Sequence, residues 1–380
     1  MITLTIRKVH SKVAHDIWNN NMAYLQSDGK PWHGLGKALT GNESIDECLQ
    51  IAGMTHKIER RLVRMRINRD SIEDTVIPGY IAIVRDSDNH VFQIASDGYH
   101  PMQYTEMVSM FREFVEAGDM RMSTLGLLKD GAIAWCMASI NQGFKLCDGD
   151  EINGNLLIST SHDGSVMNDV RFCHERVVCA NTLAMAKGEC GLSFQFKHSR
   201  KDKKAAIREA KERLKLAKDR FSKFADWCGV LASKPVQDEQ QVYQYLIQLT
   251  GSQLLEQAIA TTPANGNDLL ESLIASDVET IKANKKLTDE NLSRAGRAIL
   301  DEIIESPGAN LPSAKGTWWG VLNGVTHYFD HDSPTRIANS DNRAYARQDN
   351  RLTSAWYGVN AKKKEQAFDL AMQYATGKVN

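Results

Sequence analysis

The stretch FKHSRKDKK, residues 196–204, separates two kinds of pattern in the chain. Upstream of it, apolar residues come in short runs: YIAIV (80–84) and VFQIA (91–95) flank the turn-like RDSDN and predict a hairpin. Further strands are expected at 120–127, 132–140, 155–160, 165–172 and 191–197, with an amphipathic helix over 105–116. Downstream, Ile207, Ala210, Leu214, Ala217, Phe221, Phe224, Cys228 and Leu231 recur at alternating steps of three and four, the seam of a long helix. Ser199 and Asp202 resemble a capping box at its start, and Ser233-Lys234-Pro235 supply its stop. The fold class is therefore α+β. A β-rich core domain is expected over 1–198 and a helical region over 199–306. An aromatic, Arg-rich segment at 307–380 is expected to end in a helix and to pack on the core.

The same stretch poses a chemical question, because five Lys or Arg stand against one Asp in the first turn of that helix. A helix N-terminus carries partial positive charge, so each cation there costs from a few tenths to about 1 kcal/mol. Docked phosphates would offset that cost. The surroundings agree: residues 197–226 hold twelve basic and five acidic side chains, whereas 235–306 hold twelve acidic and five basic. A chain of formal net charge −1 can thus still present a basic face. A second basic element is KIERRLVRMRINR (57–69), with six Lys or Arg and one Glu. As a strand it puts Arg60, Leu62, Arg64 and Arg66 on one face and turns Val63, Met65 and Ile67 to the core. Arg side chains repeating every ~7 Å approximate the phosphate spacing of an extended single strand. The expected nucleic-acid contacts are Arg60, Arg64, Arg66, Lys201, Lys203, Lys204 and Arg208, with Tyr99, Trp318 or Trp319 as stacking platforms.

Other chemistries find weaker patterns. Seven cysteines, an odd number without a CxxC pair, and no secretory apolar stretch at the N-terminus point to reduced thiols in the cytoplasm of a bacterial host cell. No run of about 18 apolar residues exists to cross a membrane. HYFDHD places His327 and His331 at i and i+4 beside Asp330 and Asp332, a spacing that suits two metal ligands but lacks an evident third. Cys173, His174, Cys179, Cys190 and His198 match no standard zinc spacing, and no metal or cofactor is expected. PWHGLG (31–36) reads as a tight turn with a packed Trp32 rather than a phosphate loop. Nothing resembles GxSxG, a P-loop or a GxGxxG turn, and no catalytic residue is assigned.

Six stretches occur in a fixed order: PWHGLG, DGYHPMQ, SHDGS, RVVCANTL, FKHS and WWGVLNGVTHYFDH. Together, over about residues 24–375, they resemble a phage- and plasmid-associated protein family known as a domain of unknown function. The resemblance implies a mobile-element setting rather than a chemistry. One departure is visible, since Leu322-Asn323-Gly324-Val325 stands where the family pattern has LNAV; the change is expected to leave the fold unaltered. A β-rich domain followed by a long basic helix is also similar, in architecture alone, to the single-strand annealing proteins of phages.

The leading expectation is a non-enzymatic protein that binds single-stranded nucleic acid in replication or recombination and assembles into a homo-oligomer, with no membrane partner. An alternative is an enzyme of nucleotide or nucleic-acid metabolism with a polar pocket built from His162, Asp163, Asn181, Asn323 and His327. A third is an interaction protein that counters a host defence factor through the acidic region 235–306. Convergence of the motif residues in one concavity would favour the enzyme, and their dispersal a binding scaffold.

Overall fold

Turn and cap chemistry sets the elements of this computed structural model, which describes residues 22–25, 37–40, 43–66, 74–118, 120–178, 181–184, 193–198, 208–209, 212, 217–253, 287–335 and 343–378. In chain order they are β1 (Met22–Leu25), β2 (Lys37–Leu39), α1 (Ile45–Ile51), β3 (Ile58–Arg66), β4 (Asp74–Arg85), β5 (Val91–Ser96), α2 (Tyr104–Gly118), β6 (Met120–Leu128), β7 (Ile133–Cys147), β8 (Asp150–Ser161), β9 (Asn168–Arg176), β10 (Asn181–Ala184) and β11 (Ser193–Phe196). Then follow α3 (Ala217–Ser233), α4 (Glu239–Thr250), α5 (Arg294–Glu305), α6 (Trp318–His327), a π turn (Tyr328–Asp332), α7 (Arg343–Tyr357) and α8 (Val359–Thr376). The class is α+β, as the change of period at residue 199 predicts, and no described helix is long and apolar enough to cross a membrane. Trp32 and its turn, Ser199, Asp202, Cys179 and Cys190 lie outside the described residues.

The strands form one sheet of order β10-β9-β8-β7-β6-β1-β2, with β11 on β9, and a second, antiparallel sheet of order β3-β4-β5. By contact density the chain forms two units: Met1–Ala138 with Leu157–Val170 and Phe194–Glu212, and Ser139–Leu156 with Arg171–Ser193 and Arg213–Asn380. Strands β7, β8 and β9 each give one part to either unit, so the segment 1–198 contributes to both.

In the first unit the RDSDN turn closes the β4–β5 hairpin as predicted, with Asp88 holding the buried Arg85 at 2.9 and 2.8 Å. Ile58, Ile81 and Ile83 turn inward, along with Leu125, Leu127 and Trp135. SHDGS leads from β8 to β9, and its Ser161, Asp163 and Ser165 side chains hold its shape. Asp163 Oδ1 accepts from the Ser165 N–H and hydroxyl, while Ser161 Oγ donates to the Val166 carbonyl and accepts from its N–H.

In the second unit the seam of the long helix, where described, faces the core: Phe221, Phe224, Cys228 and Leu231 are buried, and Phe224 stacks on Phe368 at 5.9 Å between ring centres. Helix α6 shows why WWGVLNGVTHYFDH has its composition. Trp318, Val321, Leu322 and Val325 fill the core. Trp319, Asn323 and Thr326, with Asp330 beyond, follow at helical spacing and carry hydrogen bonds. Gly320 and Gly324 let other backbone come close: a Cβ on Gly324 would lie 2.7 Å from the Ile303 backbone on α5. Gly324 therefore marks a close helix–helix contact in this chain.

Candidate functional site

Three places carry chemistry, and the first is the edge of the three-stranded sheet. Among the described residues β3 pairs only with β4 and is an edge strand of that sheet. Arg60, Leu62, Arg64 and Arg66 are all exposed, while Glu59, Arg61 and Val63 between them are half-buried. Met65 departs from the expected inward set: it lies beyond the register shift at Leu62/Arg64 and is 42% exposed. Arg60 donates to the Asp97 carbonyl, and Arg66 meets Asp74 at 3.3 Å. Arg64 pairs with no acidic group among the described residues. Arg61 borders the edge from the opposite face and contacts Glu59 and Asn89. Leu62, between Arg60 and Arg64, is 62% exposed, whereas Tyr80 and Ile94, also more than half exposed, share by register the opposite face, that of Arg61. Arg208 is exposed, whereas Lys201, Lys203 and Lys204 lie outside the described residues. The expected stacking rings are engaged elsewhere: Trp318 and Trp319 are core residues, and Tyr99 stacks on His198 while its hydroxyl donates to the Ser161 carbonyl. Among the described residues the exposed aromatic is Tyr80, on a strand whose apolar run alone reads as buried.

The five residues of the expected polar pocket do not share one unit. His162 and Asp163 belong to the first, and Asn181, Asn323 and His327 to the second. His162 is fully buried, packed by the rings of Phe92 and Tyr104 at 5.5 and 5.2 Å, and neither ring nitrogen has a hydrogen-bond partner among the described residues. Burial, with smaller contributions from His198, His56 and Arg85, brings its pKa down to about 3. In the second unit Asn181 Nδ2 donates to the Asn323 carbonyl and to Thr326 Oγ1, tying β10 to α6. Both residues line a cavity of about 300 Å³, counting its open mouth, with His174, Arg176, Phe224 and Trp319; its enclosed part has room only for water. Buried Arg176 is fixed by Asp150 at 2.6 and 3.0 Å, and Asp150 also accepts from Ser313 and from Trp319 Nε1. Burial works against ionisation of Asp150, but these donors outweigh it and hold its carboxyl below the usual range. Behind them, Lys364 donates to Asp330 at 2.5 Å and to the Thr182 carbonyl at 2.7 Å, a buried ion pair that joins α8, the π turn and β10.

The third place is a corner of α5, α6 and the π turn. His327 Nδ1 lies 2.8 Å from Glu302 Oε2 and 3.7 Å from Asp332 Oδ2. The His331 ring lies 4.5 Å from that of His327 between centres. Burial, then the adjacent Asp332, pushes the Glu302 carboxyl up to about 7. Burial lowers the His327 pKa against the pull of Asp332 and Asp330. Sequence spacing shows the His327–His331 pair but not Glu302, which comes from another helix.

Two units built on antiparallel and mixed sheets with a helical second half define an α+β protein. The chain belongs to the family described as Domain of unknown function (DUF932), which matches residues 91–356. No curated protein and no solved structure matches it.

Proposed function

We propose that this protein binds single-stranded nucleic acid along the edge strand β3, as a non-catalytic component of mobile-element replication or recombination. The observation that supports this reading best is the row Arg60, Arg64 and Arg66, exposed on an edge strand with exposed Leu62 between the first two. Cations at strand spacing meet successive phosphates of an extended strand, and the exposed Leu62 side chain between them offers an apolar contact to an unstacked base, which a duplex keeps inside. Arg208 and the lysines Lys201, Lys203 and Lys204 extend the basic surface in the sequence. The polar motif residues favour a scaffold over an enzyme, because Asp163, Asn181 and Asn323 are spent on turns and on α6. A homo-oligomer remains part of the proposal, through a surface other than the described part of the α3 seam, which is core. A gel-shift comparison of single-stranded and duplex DNA tests the reading: the single strand is expected to shift at lower protein concentration, and equal or absent shifts would overturn it.

A further inference from the structure

The corner of α5, α6 and the π turn has the geometry of a cation site. Its three elements converge for reasons visible in the backbone. In a regular α-helix residue i+5 points away from residue i, so Asp332 would be turned from His327. The π turn changes this: the Ser333 N–H donates to the Tyr328 carbonyl five residues back, and in such a turn i and i+5 are neighbours. Asp332 is thereby brought over His327. Glu302 arrives from α5, whose next residue, Ile303, packs its backbone against the face of α6 left bare by Gly324. The glycine contact holds the two helix backbones at the separation that puts Glu302 and His327 within 2.8 Å.

One nitrogen and two carboxylate oxygens all lie within 4.8 Å of one another. Ligands bound at about 2.1 Å stand roughly 3.0–3.4 Å apart at octahedral or tetrahedral angles. The observed 2.8 and 3.7 Å bracket that range, so small side-chain movements would seat an ion. Among the described residues no Lys or Arg pairs with either carboxylate, and Asp332 is 53% exposed, which leaves a path from solvent and open positions for water.

We propose that Glu302, His327 and Asp332 bind a divalent first-row transition ion, Zn2+ above all, with the remaining positions filled by water. An imidazole with two carboxylates suits Zn2+ or Mn2+ better than Mg2+, which keeps its waters and prefers oxygen alone. The site is independent of the nucleic-acid reading.

The experiment is calorimetric titration of the chelator-treated full chain with ZnCl2 and, separately, MgCl2, followed by the absorption spectrum of its Co2+ complex. Zn2+ is expected to bind stoichiometrically and Mg2+ not. Glu302→Gln and Asp332→Asn, both close in shape to the native side chains, are each expected to weaken Zn2+ binding about tenfold or more, with circular dichroism unchanged. The Co2+ spectrum is expected to show ligand-field bands without thiolate charge transfer. Unchanged Zn2+ affinity in the double variant, absence of binding by the native chain, or a thiolate band from its cysteines would each overturn the proposal.

Discussion

Replacing His162 with Leu should remove much of the acid sensitivity of the first unit while costing little at neutral pH. The imidazole is 0% exposed and makes ring contacts but, among the described residues, no hydrogen bond from either nitrogen. Its backbone N–H and carbonyl, which bond to Ala132 and Gln93, are untouched by the change. The folded pKa is lowered from 6.5 to about 3, so the unfolded chain takes up the proton first as pH falls. The stability associated with neutral His162 is complete above pH 6.5 and is lost progressively toward pH 3. At about 1.4 kcal/mol per pH unit, roughly 2 kcal/mol is gone at pH 5. His56, lowered to about 4 by burial and by Arg85, adds in the same direction, but it is only partly buried and contributes less. Urea unfolding at pH 7.5, 6 and 5 measures the effect. The Leu variant should unfold within about 1.5 kcal/mol of the native chain at pH 7.5, and its stability should fall by about 2 kcal/mol less between pH 7.5 and 5. Parallel pH profiles for the two proteins would refute the reasoning, as would an NMR titration showing His162 protonated in the folded chain near pH 6.

Gly324→Ala should destabilise the second unit by about 1–3 kcal/mol despite the better helix propensity of Ala, since the added methyl meets the Ile303 backbone; a thermal melt checks this, and an unchanged midpoint would mean that the helices separate without cost. Lys364→Met should cost about 3–5 kcal/mol because it strands the buried Asp330 carboxylate. The double variant with Asp330→Asn should recover part of that loss in the same denaturant assay.

Much of the secondary structure is legible in the sequence for a physical reason. The β4–β5 hairpin and the stripe of α3 each bury one side only, so a period of two or of three to four appears in the order of residues. The period is silent in α6, where nearly every residue is buried and glycines stand where backbones meet, so WWGVLNGVTH reads as an aromatic stretch rather than a helix. The division into units is equally hidden, because β7, β8 and β9 serve both without any break in composition. At the site, the alternation over residues 60–64 is local and readable, whereas the exposure of Met65 depends on what covers the sheet. Glu302, 25 positions before His327, joins it only through the close contact at Gly324. His162 and Asp163 stand out in SHDGS as candidate pocket residues, but that they serve burial and turn geometry depends on what packs around the turn.

The most direct test of the nucleic-acid reading is the salt dependence of binding to a labelled single-stranded oligonucleotide, followed by fluorescence anisotropy. The native chain is compared with the triple variant Arg60→Gln, Arg64→Gln, Arg66→Gln. The three side chains are exposed, so the variant should melt close to the native chain. If each arginine meets a phosphate, the slope of log K against log salt should fall by about 0.7 per contact, roughly 2 in all, with weaker binding at low salt. The same slope and the same affinity in the variant would show that the basic edge of β3 only keeps the strand solvated, and would contradict the account.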